Sequence, residues 1–184
     1  MRVIGGTARG RPLKALAGRA LRPTADRVRE AIFDLVGPAG PGRTVLDLFA
    51  GTGALGIEAL SRGAERAVFV DSDRRGCELV AANLQACGFT GQARIERRDA
   101  LRFLTRPVPD APFDLVLLDP PYQQGLLPAC LAALGAPGLL SGAARVFCEA
   151  EAGLWLEPIQ GGLVQGRVKR YGDTAVFEYL PGGS

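Results

Sequence analysis

Val45 to Glu58, VLDLFAGTGALGIE, is an apolar run holding one carboxylate, then a glycine-rich turn, then the start of an amphipathic pattern. It reads as strand, tight loop, helix. Val45, Leu46, Leu48 and Phe49 suit a short strand buried on both faces, as strands of parallel sheets are. Gly51 and Gly53 permit a left-handed backbone and close approach of the chain to a ligand. In an open parallel α/β sheet, ligands sit beyond the carboxyl ends of the strands, where the strand order reverses. The turn is therefore the candidate cofactor site, while a lone glycine-rich turn equally suits a tight βα connection without a ligand.

Working outward from this stretch, apolar runs and amphipathic patterns alternate. A helix from about Ala54 to Arg62 precedes a strand, Ala67 to Val70, closing on Asp71. A helix over Arg74 to Ala86, a short strand over Arg94 to Glu96 and a short helix over Asp99 to Thr105 follow. Phe113 to Leu118 is the strongest strand, then a helix near Leu126 to Leu134 and a strand near Ala144 to Cys148. Leu163 to Tyr171 and Thr174 to Leu180 form a hairpin turned at Gly172-Asp173. The pattern predicts an α/β fold of Rossmann-like type: a mostly parallel seven-stranded sheet, helices on both faces and a terminal antiparallel hairpin.

Upstream, Arg2 to Lys14, RVIGGTARGRPLK, is broken by glycines into short β-capable pieces and predicts a small, exposed hairpin outside the main sheet. Asp26 to Val36 is an amphipathic helix, with Val28, Ile32, Leu35 and Val36 on one face and Arg27, Arg29, Glu30 and Asp34 mostly on the other. Residues 1–42 thus read as an extension and 43–184 as the main domain. The extension holds eight basic residues and three acids, a balance of +5 within a net charge of +3, so the remainder is −2. A basic arm on a nearly neutral body suits a polyanionic partner, because phosphate contacts supply most sequence-independent affinity for nucleic acid; a solvated charged flank is the bland alternative.

At 184 residues with 47% hydrophobic content, the chain fits one domain with a substantial core. No apolar run is long enough to span a bilayer, which predicts a soluble cytoplasmic protein. Cys77, Cys87, Cys130 and Cys148 are widely separated, no CxxC pair occurs and histidine is absent, so no metal site is expected. Without imidazole, the Ser-His-Asp and Cys-His nucleophilic systems are excluded. Chemistry must use carboxylates, backbone groups, Tyr, Lys or a cofactor.

Asp71 ends the second strand about 20 residues after the turn, the spacing at which an acid accepts hydrogen bonds from a ribose diol. Asp73 is the better helix cap. GTGALG also fits GxGxxG, so a dinucleotide has to be considered. Asp119-Pro120-Pro121-Tyr122 directly follows FDLVLL, and this places an acid, two prolines and an aromatic at the end of a strand expected beside the opening one. Such a loop suits a planar amine. A nucleobase amine has its lone pair delocalised into the ring and attacks poorly unless acceptors hold its hydrogens. The Asp119 carboxylate and the Pro120 carbonyl can accept them, while Tyr122 can stack on the base.

With these motifs in place, the sequence resembles S-adenosylmethionine-dependent amino-methyltransferases of nucleic acids. More narrowly, RVIGGTARGRPL, LRPTADRVREAIFD, LDLFAGTGALGIEALSRGA and VLLDPPY resemble the bacterial family that methylates guanine N2 in small-subunit (16S) ribosomal RNA. The resemblance implies a class I methyltransferase fold, S-adenosylmethionine as cofactor, no metal, and an RNA substrate in an assembling ribonucleoprotein particle, met by a monomer. It implies that Asp47, Phe49, Ala50, Gly51 and Gly53 shape the methionine and ribose pocket. Asp71 with Ser72 would take the ribose, and Asp99 with Ala100 the adenine. Asp119, Pro120, Pro121 and Tyr122 would hold the target guanine, Asp119 also bordering the cofactor. Arg9, Arg11, Arg22, Thr24, Arg27 and Arg29 would guide the RNA.

Three other readings compete. A protein glutamine methyltransferase shares the fold but uses an NPPY-type loop, against which Asp119 and the basic arm argue. A nicotinamide oxidoreductase has no use for DPPY. A non-catalytic ribosome-assembly factor has no need of an intact loop.

Overall fold

The computed structural model describes residues 1–15, 23–37, 40, 42–121 and 125–182, with the side chains of 23–25 left aside. Helix α1 is Pro23–Val36. Then follow β1 (Thr44–Leu48), α2 (Ala54–Ser61), β2 (Arg66–Asp71), α3 (Arg74–Cys87), β3 (Ala93–Arg97), α4 (Ala100–Leu104) and β4 (Phe113–Leu118). The chain continues through α5 (Leu126–Leu134), β5 (Leu140–Glu151), β6 (Ile159–Gln160), β7 (Leu163–Tyr171) and β8 (Thr174–Pro181). One sheet runs β3-β2-β1-β4-β5-β8-β7-β6, parallel from β3 to β5 and antiparallel beyond. The expected order of elements stands, with one more strand than the seven anticipated. The extra one, β6, is a two-residue pairing on β7, too short for any periodicity to announce.

Strand parity divides the core. Val45, Phe69, Leu115 and Leu117 point to the face covered by α1, α2 and α3, whereas Leu46, Leu48, Val68, Val70, Val116 and Leu118 meet α4 and α5. Both faces are apolar because both are covered, which is why the strands read as unbroken hydrophobic runs. The C-terminus of α1 is tied to the sheet: Arg145 donates to the Leu35 and Val36 carbonyls at 2.6 and 2.8 Å and pairs with the buried Glu178. Glu178 also accepts from Arg167 at 2.7 Å. Cationic side chains thus satisfy the last carbonyls of the helix, where its dipole favours them.

The N-terminal hairpin does lie outside the sheet, held by an Arg2–Pro12 bridge. It is not exposed as expected, because Val3, Ala8 and Leu13 are buried in the same cluster as α1 and α2. The Gly5-Gly6 pair allows this: a Cβ on Gly6 would fall 1.7 Å from the Ser61 carbonyl oxygen, so only glycine lets the hairpin backbone reach α2. At that contact the Ile4 and Gly5 amides each donate to Glu58 at 2.8 Å, and the Ala8 amide donates to Ser61 Oγ at 2.9 Å.

Candidate active site

The sequence of strands moves outward from β1 to β2 and β3, then returns to β4 on the other side of β1. The order therefore reverses between β1 and β4, and Leu48 and Leu118 are paired at the carboxyl ends of these two strands. The glycine turn and the DPP loop leave the sheet at this crevice.

The turn is built by backbone geometry. Phe49, Gly51 and Gly53 all have positive φ, at 65°, 55° and 75°. For a phenylalanine this costs on the order of 1 kcal/mol. Strain of this kind collects at sites where the chain must be aimed. The third glycine, Gly56, serves packing: a Cβ there would sit 2.3 Å from Phe69 Cε1, so its absence lets α2 lie close on β2. The Gly56 amide also donates to Asp47 Oδ2 at 2.8 Å. Asp47 occupies the α2-facing parity of β1 and is almost fully buried. Its burial, with the carboxylates of Asp119 and Asp71 in range, holds its pKa well above the usual carboxylate range despite the Gly56 bond.

Asp71 is half-buried and fixed at both oxygens. Oδ2 accepts from the Gly51 amide at 2.7 Å and Oδ1 from the Asp73 amide at 2.8 Å. A carboxylate has further lone pairs, so Asp71 is oriented by the turn and retains capacity for a ligand. Asp73 caps α3, accepting from Arg75 at 3.1 Å, as the sequence suggested. Ala50 is tied to β2 through Val70, and Ser72 is exposed beside Asp71. Asp99 is exposed at the carboxyl end of β3 and caps α4 through Oδ1, with buried Ala100 opening that helix. Asp119 is exposed, Pro120 buried and Pro121 exposed. Tyr122 lies outside the described residues.

The structure brings Arg9 and Arg27 together on a groove of about 380 Å³ between the hairpin and α1. Arg2 joins them there, a residue the sequence did not single out, with Asp26 and Glu30 on the same wall. Arg11 is exposed and reaches the Ala86 carbonyl. Arg22 and the side chain of Thr24 lie outside the described residues. Arg29 departs from expectation: helical periodicity put it on the solvent face, but its guanidinium is only 4% exposed. It donates to the Arg2 carbonyl at 2.6 Å and to Asp26 at 3.1 Å. The docked hairpin covers that face of α1, so Arg29 holds the hairpin and does not face a ligand.

Several buried polar residues escaped sequence reading. Glu58, Ser61 and Glu178 are described above. Asn83, on α3, accepts from the Lys14 amide at 2.8 Å and donates to the Lys14 carbonyl at 3.1 Å and to the Thr52 carbonyl at 2.8 Å. It thereby joins the arm to the glycine turn. A polar residue on the apolar stripe of α3 was the available signal. Among the described residues no cluster of Cys, Asp or Glu could hold a metal ion, and no helix is long and apolar enough to cross a membrane.

A doubly wound sheet that reverses beside a glycine turn, with acids at successive strand ends and a proline loop across the crevice, defines a Rossmann-like class I methyltransferase. The solved structure of yhhF from Escherichia coli has this architecture, with a TM-score of 0.87 and 33% identity, covering 100% of this chain and 99% of that one. The chain belongs to the family described as Conserved hypothetical protein 95, which matches residues 1–180 and includes small-subunit ribosomal RNA methyltransferases. YlbH of Bacillus subtilis (strain 168) is 41% identical over 184 residues, the whole of both chains. Ribosomal RNA small subunit methyltransferase D of Escherichia coli (strain K12) is 39% identical over 151 residues, 82% of this chain and 75% of its own length.

Proposed function

We propose that the protein transfers a methyl group from S-adenosylmethionine to the exocyclic N2 amine of a guanine in 16S ribosomal RNA. It acts as a cytoplasmic monomer on an assembling ribonucleoprotein particle, without a metal. The observation that carries this reading is the DPP loop paired across the strand reversal with the glycine turn.

The residues fit the cofactor. Asp47, Asp71 and Asp119 are close enough that the latter two raise the pKa of Asp47. The crevice thus carries excess negative potential that a ligand bearing a sulfonium and an ammonium group offsets. When bound, S-adenosylmethionine supplies an electrophilic methyl group. Asp47 with the turn from Phe49 to Gly53 would hold its amino acid and sugar side, Asp71 and Ser72 the ribose hydroxyls, and Asp99 with Ala100 the adenine.

On the substrate side, Asp119 and the Pro120 carbonyl accept the two N–H bonds of the guanine amine, and proline, lacking an N–H, does not compete as a donor. This holds the nitrogen and favours the geometry in which its lone pair leaves the ring plane. Tyr122 stacks on the base. The departing proton passes to Asp119 or to water, and rate comes chiefly from positioning and acceptor placement. Residues 1–42 serve as the RNA-contacting extension through Arg9, Arg11 and Arg27, with Arg22 and Thr24.

The test is incubation with labelled S-adenosylmethionine and unmodified small-subunit particles, followed by nucleoside analysis. N2-methylguanosine is expected, and Asp119→Ala should lower kcat by about 100-fold or more while cofactor affinity by calorimetry falls by far less. Label on another nucleoside or on protein, or wild-type turnover by the variant, refutes the reading.

A further inference from the structure

Trp155 is the single tryptophan of the chain and is 70% exposed. An indole left in water forgoes a large apolar burial, so its presentation calls for a partner. It sits in the segment 152–158 between β5 and β6, and that segment is pinned. The Ala152 amide donates to the Asp173 carbonyl and the Leu154 amide to the Glu151 carbonyl, both at 2.9 Å. Arg170 Nε donates to the Ala152 carbonyl at 3.3 Å. On the far side, Leu156 is buried in the core beneath α5, and Tyr179 Oη donates to the Glu157 carbonyl at 2.7 Å. Held before and after, Trp155 is displayed by a fixed loop.

Its place in the fold is equally specific. Strand β5 is the hydrogen-bonded neighbour of β4, with Cys148 level with Leu118. Glu151 ends β5 three residues past Cys148, just as Pro121 lies three residues past Leu118. The loop bearing Trp155 therefore leaves the same carboxyl edge, at the same height, as the loop proposed to hold the target base. The charge around it is mixed: exposed Arg170 is accompanied by exposed Glu151, Glu157 and Asp173. Phosphates gain little there, so the attractive elements are apolar, with the indole the most exposed of them and Leu154 and Ile159 exposed in the same stretch of chain.

Resting on the function proposed above, we infer that Trp155 is a stacking platform for an unpaired base of the RNA substrate, one flanking the target nucleotide. Aromatic side chains recognise unstacked bases in this way, and the contact tolerates any base because every base has a π-face. The site is a second, non-electrostatic anchor, separate from the basic groove between the hairpin and α1.

Because no other tryptophan contributes, fluorescence excited on the long-wavelength side of the tyrosine absorption band reports this residue alone. Titration of the wild-type chain with small-subunit RNA should quench it saturably. Trp155→Ala should weaken RNA binding about tenfold, raising KM with kcat little changed and leaving the salt dependence of affinity as in wild type, while Trp155→Phe recovers most of the loss. Methylation and binding by Trp155→Ala that match wild type, or fluorescence unmoved by RNA, overturn the assignment. So does a loss of affinity for the protein-bearing particle without loss for RNA, which makes Trp155 a protein-docking residue. A wild-type chain that methylates no guanine in unmodified small-subunit particles overturns the proposed function itself, an outcome separable from the others by the wild-type control.

Discussion

Replacing Glu58 by Gln should lower the unfolding free energy by about 3 kcal/mol. Glu58 is fully buried, and its two oxygens are divided between donors. Oε2 accepts from the Ile4 amide at 2.8 Å and faces Arg29 Nε at 3.8 Å. Oε1 accepts from the Gly5 amide and from Arg62 Nε, each at 2.8 Å. A glutamine offers one oxygen and one NH₂ group, so one hairpin amide meets another donor and goes unpaired, which costs roughly 1–3 kcal/mol. Arg29, almost entirely buried, and Arg62 lose their shared counter-charge as well, and this brings the total into the range for breaking a buried pair. For a chain of this length, 3 kcal/mol corresponds to a drop in Tm of roughly 6–12 °C. Circular dichroism with heat and with urea measures it. Glu78→Gln is the control, since the Arg74–Glu78 pair at 2.7 Å is well exposed at both ends and should change stability by less than about 0.5 kcal/mol. Limited proteolysis should show the hairpin cut sooner in Glu58→Gln. A loss below about 1 kcal/mol, with the hairpin still protected, refutes the account of Glu58 as the hairpin's anchor.

Two further outcomes follow from the site. Asp47 has a folded pKa raised by burial and by Asp119 and Asp71. The folded state therefore binds more protons than the unfolded chain above pH about 4, and stability falls as pH rises from there through the folded pKa. A side-chain amide in its place keeps an acceptor for the Gly56 N–H but does not titrate, so Asp47→Asn should gain on wild type as pH rises across that window; denaturant midpoints from acid to neutral pH check it, and a constant difference contradicts it. Arg27 lines the groove with Arg2 and Arg9. Arg27→Ala should weaken RNA binding across sequences and reduce the slope of log affinity against log salt by about one, while an unchanged slope leaves the groove without a role in RNA binding.

What could be read without coordinates was local. GTGALG announced a strand, a turn and a helix because positive φ at Gly51 and Gly53 and the missing Cβ of Gly56 are demands met within a dozen residues. Asp73 as a cap and Gly172-Asp173 as a hairpin turn are equally short-range. Unbroken apolar runs implied strands covered on both faces, and helices between them implied a parallel sheet. The pairing of β4 with β1, which puts the DPP loop opposite the glycine turn, followed from that topology.

Other features depended on partners far along the chain. Periodicity assigned Arg29 to solvent because a helical wheel knows only the helix; the hairpin, some 20 residues upstream in sequence, covers that face. Glu58, Ser61 and Asn83 looked like polar residues on amphipathic helices, yet each satisfies backbone groups 50 to 70 residues away. Trp155 carried no motif, and its meaning came only from the register that sets β5 beside β4. Backbone conformation and hydrophobic period are written in neighbouring residues, so the sequence by itself determined the fold class and the two loops of the crevice. Which polar side chains are buried, and which exposed ones share an edge, depends on long-range contacts, and that only the tertiary structure decided.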